Sequence, residues 1–164
     1  MKESFLTRYN AFQDILLKEL AKKFPRNKGW QLTGDKELPQ SITQLRPDAA
    51  FINEKSRKIR LVEFTCPWDD GKSDLVAARR WKQNKYADLV RELSMKGWDT
   101  ELAVLIVGAR GSWDPVNDVE LAKVGVHDGR KLESVKRTAV ASVVDHSRKI
   151  YYSHMMGDRY MNLV

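Results

Sequence analysis

Arg46-Pro47-Asp48-Ala49-Ala50-Phe51-Ile52, then, after a short turn, Arg60-Leu61-Val62-Glu63-Phe64-Thr65 decide the reading of this chain. Both runs read as strands. In the first, Asp48, Ala50 and Ile52 share a face; in the second, Ile59, Leu61, Glu63 and Thr65 share one. The intervening Glu54-Lys55-Ser56-Arg57 fits a four-residue hairpin loop. If Asn53 pairs with Lys58 across that loop, Asp48 falls opposite Glu63 on the same face, with Cβ atoms about 5 Å apart. A slip of one residue would send the two acids to opposite faces.

Each strand therefore carries one carboxylate in an apolar setting. Such a group costs several kcal/mol unless something pairs with it. Two carboxylates side by side repel unless they bind a metal or share a proton. Mg²⁺ prefers oxygen ligands and keeps several waters, and a metal so placed could activate water against a phosphodiester. The competing reading is that one acid is exposed and salt-bridged.

Outward from the hairpin, Phe5, Tyr9, Phe12, Leu16, Leu20 and Phe24 recur at helical spacing over residues 4–24, with Ser4 as cap and Pro25 as stop. Residues 29–33 suit a first strand; Gly34-Asp35 is a turn signal, followed by polar loop to Leu45. Cys66-Pro67-Trp68 ends the second hairpin strand, because proline cannot continue a central ladder. Residues 73–96 read as a long helix whose inner stripe is Leu75, Ala78, Lys82, Tyr86, Leu89 and Leu93. Lys82 sits mid-stripe and Lys85 at its edge; a lysine mid-stripe either snorkels outward or meets a buried carboxylate. Leu102–Val107 is the most apolar run and reads as a buried strand, parallel to a neighbour because a helix precedes it. Helices are expected over 115–122 and 131–155. The order implies an α/β sandwich with a mixed central sheet flanked by helices.

The 164 residues fit one domain. Lys and Arg outnumber Asp and Glu by 29 to 22, giving a net charge of +7 and favouring a polyanionic partner. Arg79, Arg80, Lys82, Lys85 and Arg91 concentrate on one helix, and Trp68, Trp81 and Trp113 lie near the hairpin acids in sequence. Basic groups interleaved with aromatics suit a nucleic-acid backbone and exposed bases, although most of these tryptophans are expected to be packing residues. No run is long and apolar enough for a membrane span. The N-terminus lacks a signal-peptide core, and the single cysteine excludes a disulfide framework or multi-Cys zinc site. An intracellular protein is expected. His127, His146 and His154 lack metal-ligand spacing, Cys66 has no triad partner, and Gly108-Ala109-Arg110-Gly111 matches no phosphate loop.

Arg46-Pro47-Asp48, the strand ending Val62-Glu63-Phe64-Thr65-Cys66-Pro67-Trp68, and Lys82-Gln83-Asn84-Lys85-Tyr86 together resemble the PD-(D/E)XK nuclease superfamily. The chain is most similar to the restriction-like endonuclease domain of site-specific non-LTR retrotransposons, a branch with a K-x-x-K-Y motif on the helix after the second acid. Arg8-Tyr9-Asn10 and the run Asp145 to Tyr151 also resemble that branch. The resemblance implies a restriction-endonuclease-like three-layer sandwich over residues 1–164, with a C-terminal helical extension from about residue 112. It implies an endonuclease that nicks DNA with Mg²⁺, Mn²⁺ serving as substitute. Asp48, Glu63 and the backbone carbonyl of Phe64 would hold the metal. The lysine of the superfamily's E-x-K is replaced by Thr65; in the branch resembled it moves to the helix, where Lys82 and Lys85 both stand as catalytic candidates. Glu19 is a possible additional acid. Arg8, Arg46, Arg79, Arg80, Tyr86 and Arg110 are the expected DNA contacts. The partners implied are DNA and a reverse transcriptase domain of a parent polyprotein, with a nuclear location if the source is a eukaryotic retrotransposon; a stand-alone relative is the alternative. Rival functions are a catalytically inactive DNA-binding module on the same fold and a Holliday-junction-type resolvase, which needs a dimer and a branched substrate.

Overall fold

Helix α1 (Lys2–Ala21) leads through a single 3₁₀ turn (Arg26–Lys28) into strand β1 (Gln31–Thr33), and the hairpin follows as β2 (Ala49–Asn53) and β3 (Lys58–Thr65). Helix α2 (Lys72–Met95), strand β4 (Asp99–Ile106) and helices α3 (Val116–Lys123) and α4 (Gly129–Met156) complete the chain. The computed structural model describes residues 2–33, 45–127 and 129–156. The Gly34-Asp35 turn and most of the polar loop after it lie outside the described residues, as do the side chains of Ser4 and Phe5.

The sheet runs β1-β2-β3-β4, antiparallel across the first two pairs and parallel across the last. Asn53 pairs with Lys58, and the register continues to Ala49 opposite Val62. The hairpin is fixed locally. Asn53 Oδ1 accepts the Ser56 amide at 3.1 Å, and its Nδ2 donates to the Lys28 carbonyl at 3.0 Å. Arg57 takes a left-handed conformation (φ 55°) to close the loop. Helix α2 is the crossover that the parallel β3–β4 pair requires.

Alternation along the strands divides the core. Ala49, Phe51, Val62, Phe64, Ala103 and Leu105 face α1 and α4, against Phe12, Leu16, Leu20, Ala139 and Val143. Ala50, Ile52, Ile59 and Leu61 face α2, against Tyr86, Leu89 and Leu93. The result is a mixed α/β architecture in which helices cover both faces of a four-stranded sheet. Helix α4 packs into the same core as α1, with Ala139 and Val143 fully buried. Strand β4 starts at Asp99, before the apolar run, because Lys58–Arg60 pair with Asp99–Glu101 and Arg60 bonds Asp99 at 2.9 Å. Among the described residues no helix is long and apolar enough to cross a membrane.

The outer edge of β4 is closed by side chains. The Asn117 side chain accepts from the Ile106 amide (2.9 Å) and donates to the Ile106 carbonyl (2.7 Å). Glu120 accepts from the Val104 amide, and Arg79 donates to the Val104 carbonyl. Arg79 also bonds Asp114 at 2.7 Å and Asn117 at 2.7 Å. Over Val104–Ile106 these groups stand in for a fifth strand.

Candidate active site

The site lies where β2 begins and β3 ends. Glu63 is fully buried in β3, on the face toward α2. Asp48 precedes β2 by one residue, in the position that continues the ladder opposite Glu63. Each acid binds a backbone amide of the opposite segment. Glu63 Oε1 accepts the Asp48 amide at 3.0 Å, and Asp48 Oδ2 accepts the Phe64 amide at 2.8 Å. Side chains thus extend the pairing past the last backbone rung, which fixes the acids relative to one another.

Three side chains from the helices hold the pair. Lys82, mid-stripe on α2, puts its ammonium 2.6 Å from Glu63 Oε2. Tyr9 of α1 donates its hydroxyl to Asp48 Oδ2 at 2.5 Å and lies 3.4 Å from the Phe64 carbonyl. The buried Tyr86 donates to the Arg46 carbonyl at 2.9 Å and so pins the turn that presents Asp48. Burial, reinforced by the Asp48 charge, pushes the Glu63 carboxyl above the usual carboxylate range, while hydrogen bonds from Lys82 and Tyr86 pull it down. Burial and the bond to Asp48 push the Tyr9 hydroxyl well above the ordinary phenol range, so it remains a donor.

The donor set suits a hard divalent cation. Asp48 Oδ1 accepts no hydrogen bond among the described residues. The Phe64 carbonyl points to the same side of β3 as its amide, past the start of β2, where only the long Tyr9 contact meets it among the described residues. No group of three His, Cys, Asp or Glu side chains able to hold a metal occurs among the described residues. Two carboxylates and a carbonyl are a small set, of the kind that Mg²⁺ accepts while retaining water.

The remaining expected site residues lie in different surroundings. Lys85 is exposed and does not reach the acids; its ammonium lies 4.7 Å over the Tyr86 ring and 5.8 Å from the Trp81 ring. Glu19 is not part of the site. It pairs with Lys22 at 2.6 Å and stands about 15 Å along α1 from Tyr9, at 1.5 Å per residue. Arg46, Arg80 and Arg110 are exposed, and Arg110 pairs with Asp70 at 3.0 Å. Three expected DNA contacts turn inward instead. Arg79 is consumed by the β4 edge, Tyr86 is a positioning residue in the core, and Arg8 is buried with Nη1 donating to Ser147 at 3.1 Å. The tryptophans depart from expectation in the other direction: Trp68 and Trp81 are 64% and 62% exposed. Sequence reasoning missed Tyr9 as the partner of Asp48; the available signal was a hydroxyl-bearing ring in the apolar stripe of α1. Cys66 is unpaired, and burial raises its thiol pKa to about 11, which removes it as a nucleophile at neutral pH.

No protein-family model matches the chain, and no curated protein matches it.

Proposed function

We propose that this protein is a divalent-metal-dependent DNA endonuclease of the PD-(D/E)XK type, with a restriction-endonuclease-like fold. The observation that carries the proposal is the convergence of Asp48, Glu63 and Lys82 from three elements at one end of the sheet, with Lys82 supplied by α2 in place of the residue at Thr65. Asp48, Glu63 and the Phe64 carbonyl would hold the cation. When bound, it would lower the pKa of a water and offset negative charge on a phosphodiester. The chain's own residues do the rest. Tyr9 and the Phe64 amide lock the Asp48 carboxylate in place. Lys82, already oriented by Glu63, supplies a fixed positive charge beside the reacting phosphate and a donor for the attacking water. Lys85 and Arg80, exposed on the same helix, contact the phosphate backbone. By the resemblance, the product is nicked target DNA whose 3′-hydroxyl primes reverse transcription by an associated domain.

A second reading, a non-catalytic DNA-binding module, is favoured by the Lys82–Glu63 ion pair, which neutralises the buried acid without a metal. Plasmid incubated with the protein and Mg²⁺ separates the two. The nuclease reading predicts nicking that EDTA abolishes; the binding-module reading predicts salt-sensitive binding with no cleavage under Mg²⁺ or Mn²⁺.

A further inference from the structure

We infer that the groove beside the candidate site binds unpaired nucleotides, so that the preferred ligand is a single strand rather than plain duplex. This rests on the nucleic-acid reading above but not on cleavage. The groove, of about 500 Å³, lies between α4 and the loop after β3. Its walls include Trp68, Tyr151 and Tyr152, with Arg8, Arg110 and Arg148 among them, and no carboxylate lines it. It adjoins the acids through two neighbouring residues of α1: the Tyr9 hydroxyl is on Asp48, and the Arg8 guanidinium is on Ser147 in the groove wall. Trp68 stands three residues beyond the end of β3.

The chemistry of the walls selects the occupant. Trp68 is 64% exposed and Tyr151, edge-on to Tyr152 at 5.8 Å, is 61% exposed, which leaves large aromatic surface in water. Flat rings flanked by guanidinium groups match a base face joined to a phosphate. In a B-form duplex those base faces are already stacked on each other, so the rings can engage them only where the strand is unpaired. The arginines are available for exchange. Arg110 pairs with Asp70 and Arg148 with Asp145, both at 3.0 Å and both exposed, and exposed pairs of this kind contribute little. A phosphate can displace either acid.

The test is fluorescence anisotropy of a labelled oligothymidylate and of a duplex of equal length, with the full chain in EDTA so that no cleavage intervenes. The expected result is tighter binding of the single strand, quenching of tryptophan emission, and a loss of about tenfold or more in affinity for Trp68→Ala and for Tyr151→Ala, with the far-ultraviolet spectrum unchanged. Equal binding of the single strand by wild type and the Trp68→Ala/Tyr151→Ala double variant overturns the inference, as does tighter binding of duplex. Concentration-dependent dimerisation abolished by those substitutions, with single-strand binding intact, overturns it too and makes the groove an interface between copies. Absent nicking with intact groove-dependent binding would reject the nuclease reading alone.

Discussion

Lys82 and Glu63, on different elements and 19 residues apart, meet at 2.6 Å in a setting where the glutamate is fully buried and the lysine side chain is 14% exposed. Removing one partner of such a pair leaves an uncompensated charge in the core. Lys82→Met is therefore expected to destabilise the metal-free protein by about 2–4 kcal/mol near neutral pH. The effect depends on pH with a defined sign. The Glu63 carboxyl is already raised in the fold, and loss of Lys82 raises it further. A carboxyl raised by folding favours the native state below its unfolded value of 4.5 and loses that contribution as pH climbs through the folded value. Urea denaturation should show the gap between variant and wild type narrowing as pH falls from 7 toward 4.5.

Tyr9→Phe removes the hydroxyl from Asp48 and keeps the ring in its edge-on contact with Phe12, 5.7 Å between centroids. Asp48 is partly exposed, so water replaces some of the loss. A cost of about 1–2 kcal/mol in chemical denaturation is expected. Nicking should fall by about tenfold or less, since Tyr9 positions an acid rather than supplying one.

Arg79 and Arg80 are sequence neighbours with opposite surroundings. Arg79→Met leaves the buried Asp114 without its cation, leaves Glu120 to Lys123 alone, and uncovers the Val104 carbonyl. A loss of about 3–5 kcal/mol is expected, with faster hydrogen exchange at the Val104 and Ile106 amides. Arg80→Ala should stay within about 0.5 kcal/mol of wild type and weaken DNA binding instead.

Cys66, raised from 9.0 to about 11, should alkylate slowly. At pH 8 the thiolate fraction falls from about 10% to about 0.1%, so iodoacetamide should react about a hundredfold more slowly with the folded protein than with the urea-unfolded chain. Comparable rates would show that Cys66 is not shielded as described.

The hairpin was legible because two local constraints agree. The four-residue loop fixes which residues face each other, and strand alternation fixes the face, so Asp48 and Glu63 met as counted. Lys82 was legible because a charge in the middle of an apolar stripe needs a buried partner. Arg79 was not. On a helix rich in Arg and Lys, a solvated guanidinium and a buried one read alike, and its partners Asp114 and Asn117 lie 35 and 38 positions away. Nothing local to Pro115–Lys123 announces that Asn117 and Glu120 replace a missing strand. Tyr9 was hidden by chemistry rather than distance: in an apolar stripe a tyrosine reads as a ring, and only the fold reveals which way its hydroxyl points. The exposed tryptophans failed the general rule that large rings are buried, and they mark surface that packing does not explain.

The central claim is that Asp48 and Glu63 form the metal-binding heart of a nuclease completed by Lys82. Its most direct test is conversion of supercoiled plasmid to the nicked form by wild type, Asp48→Ala, Glu63→Ala, Lys82→Ala and Lys85→Ala, each in Mg²⁺ and in EDTA. The account predicts Mg²⁺-dependent nicking by wild type and its loss, by about a hundredfold or more, in the Asp48, Glu63 and Lys82 variants. A smaller, salt-sensitive decrease is expected for Lys85→Ala. Undiminished nicking by folded Asp48→Ala and Glu63→Ala proteins would contradict it.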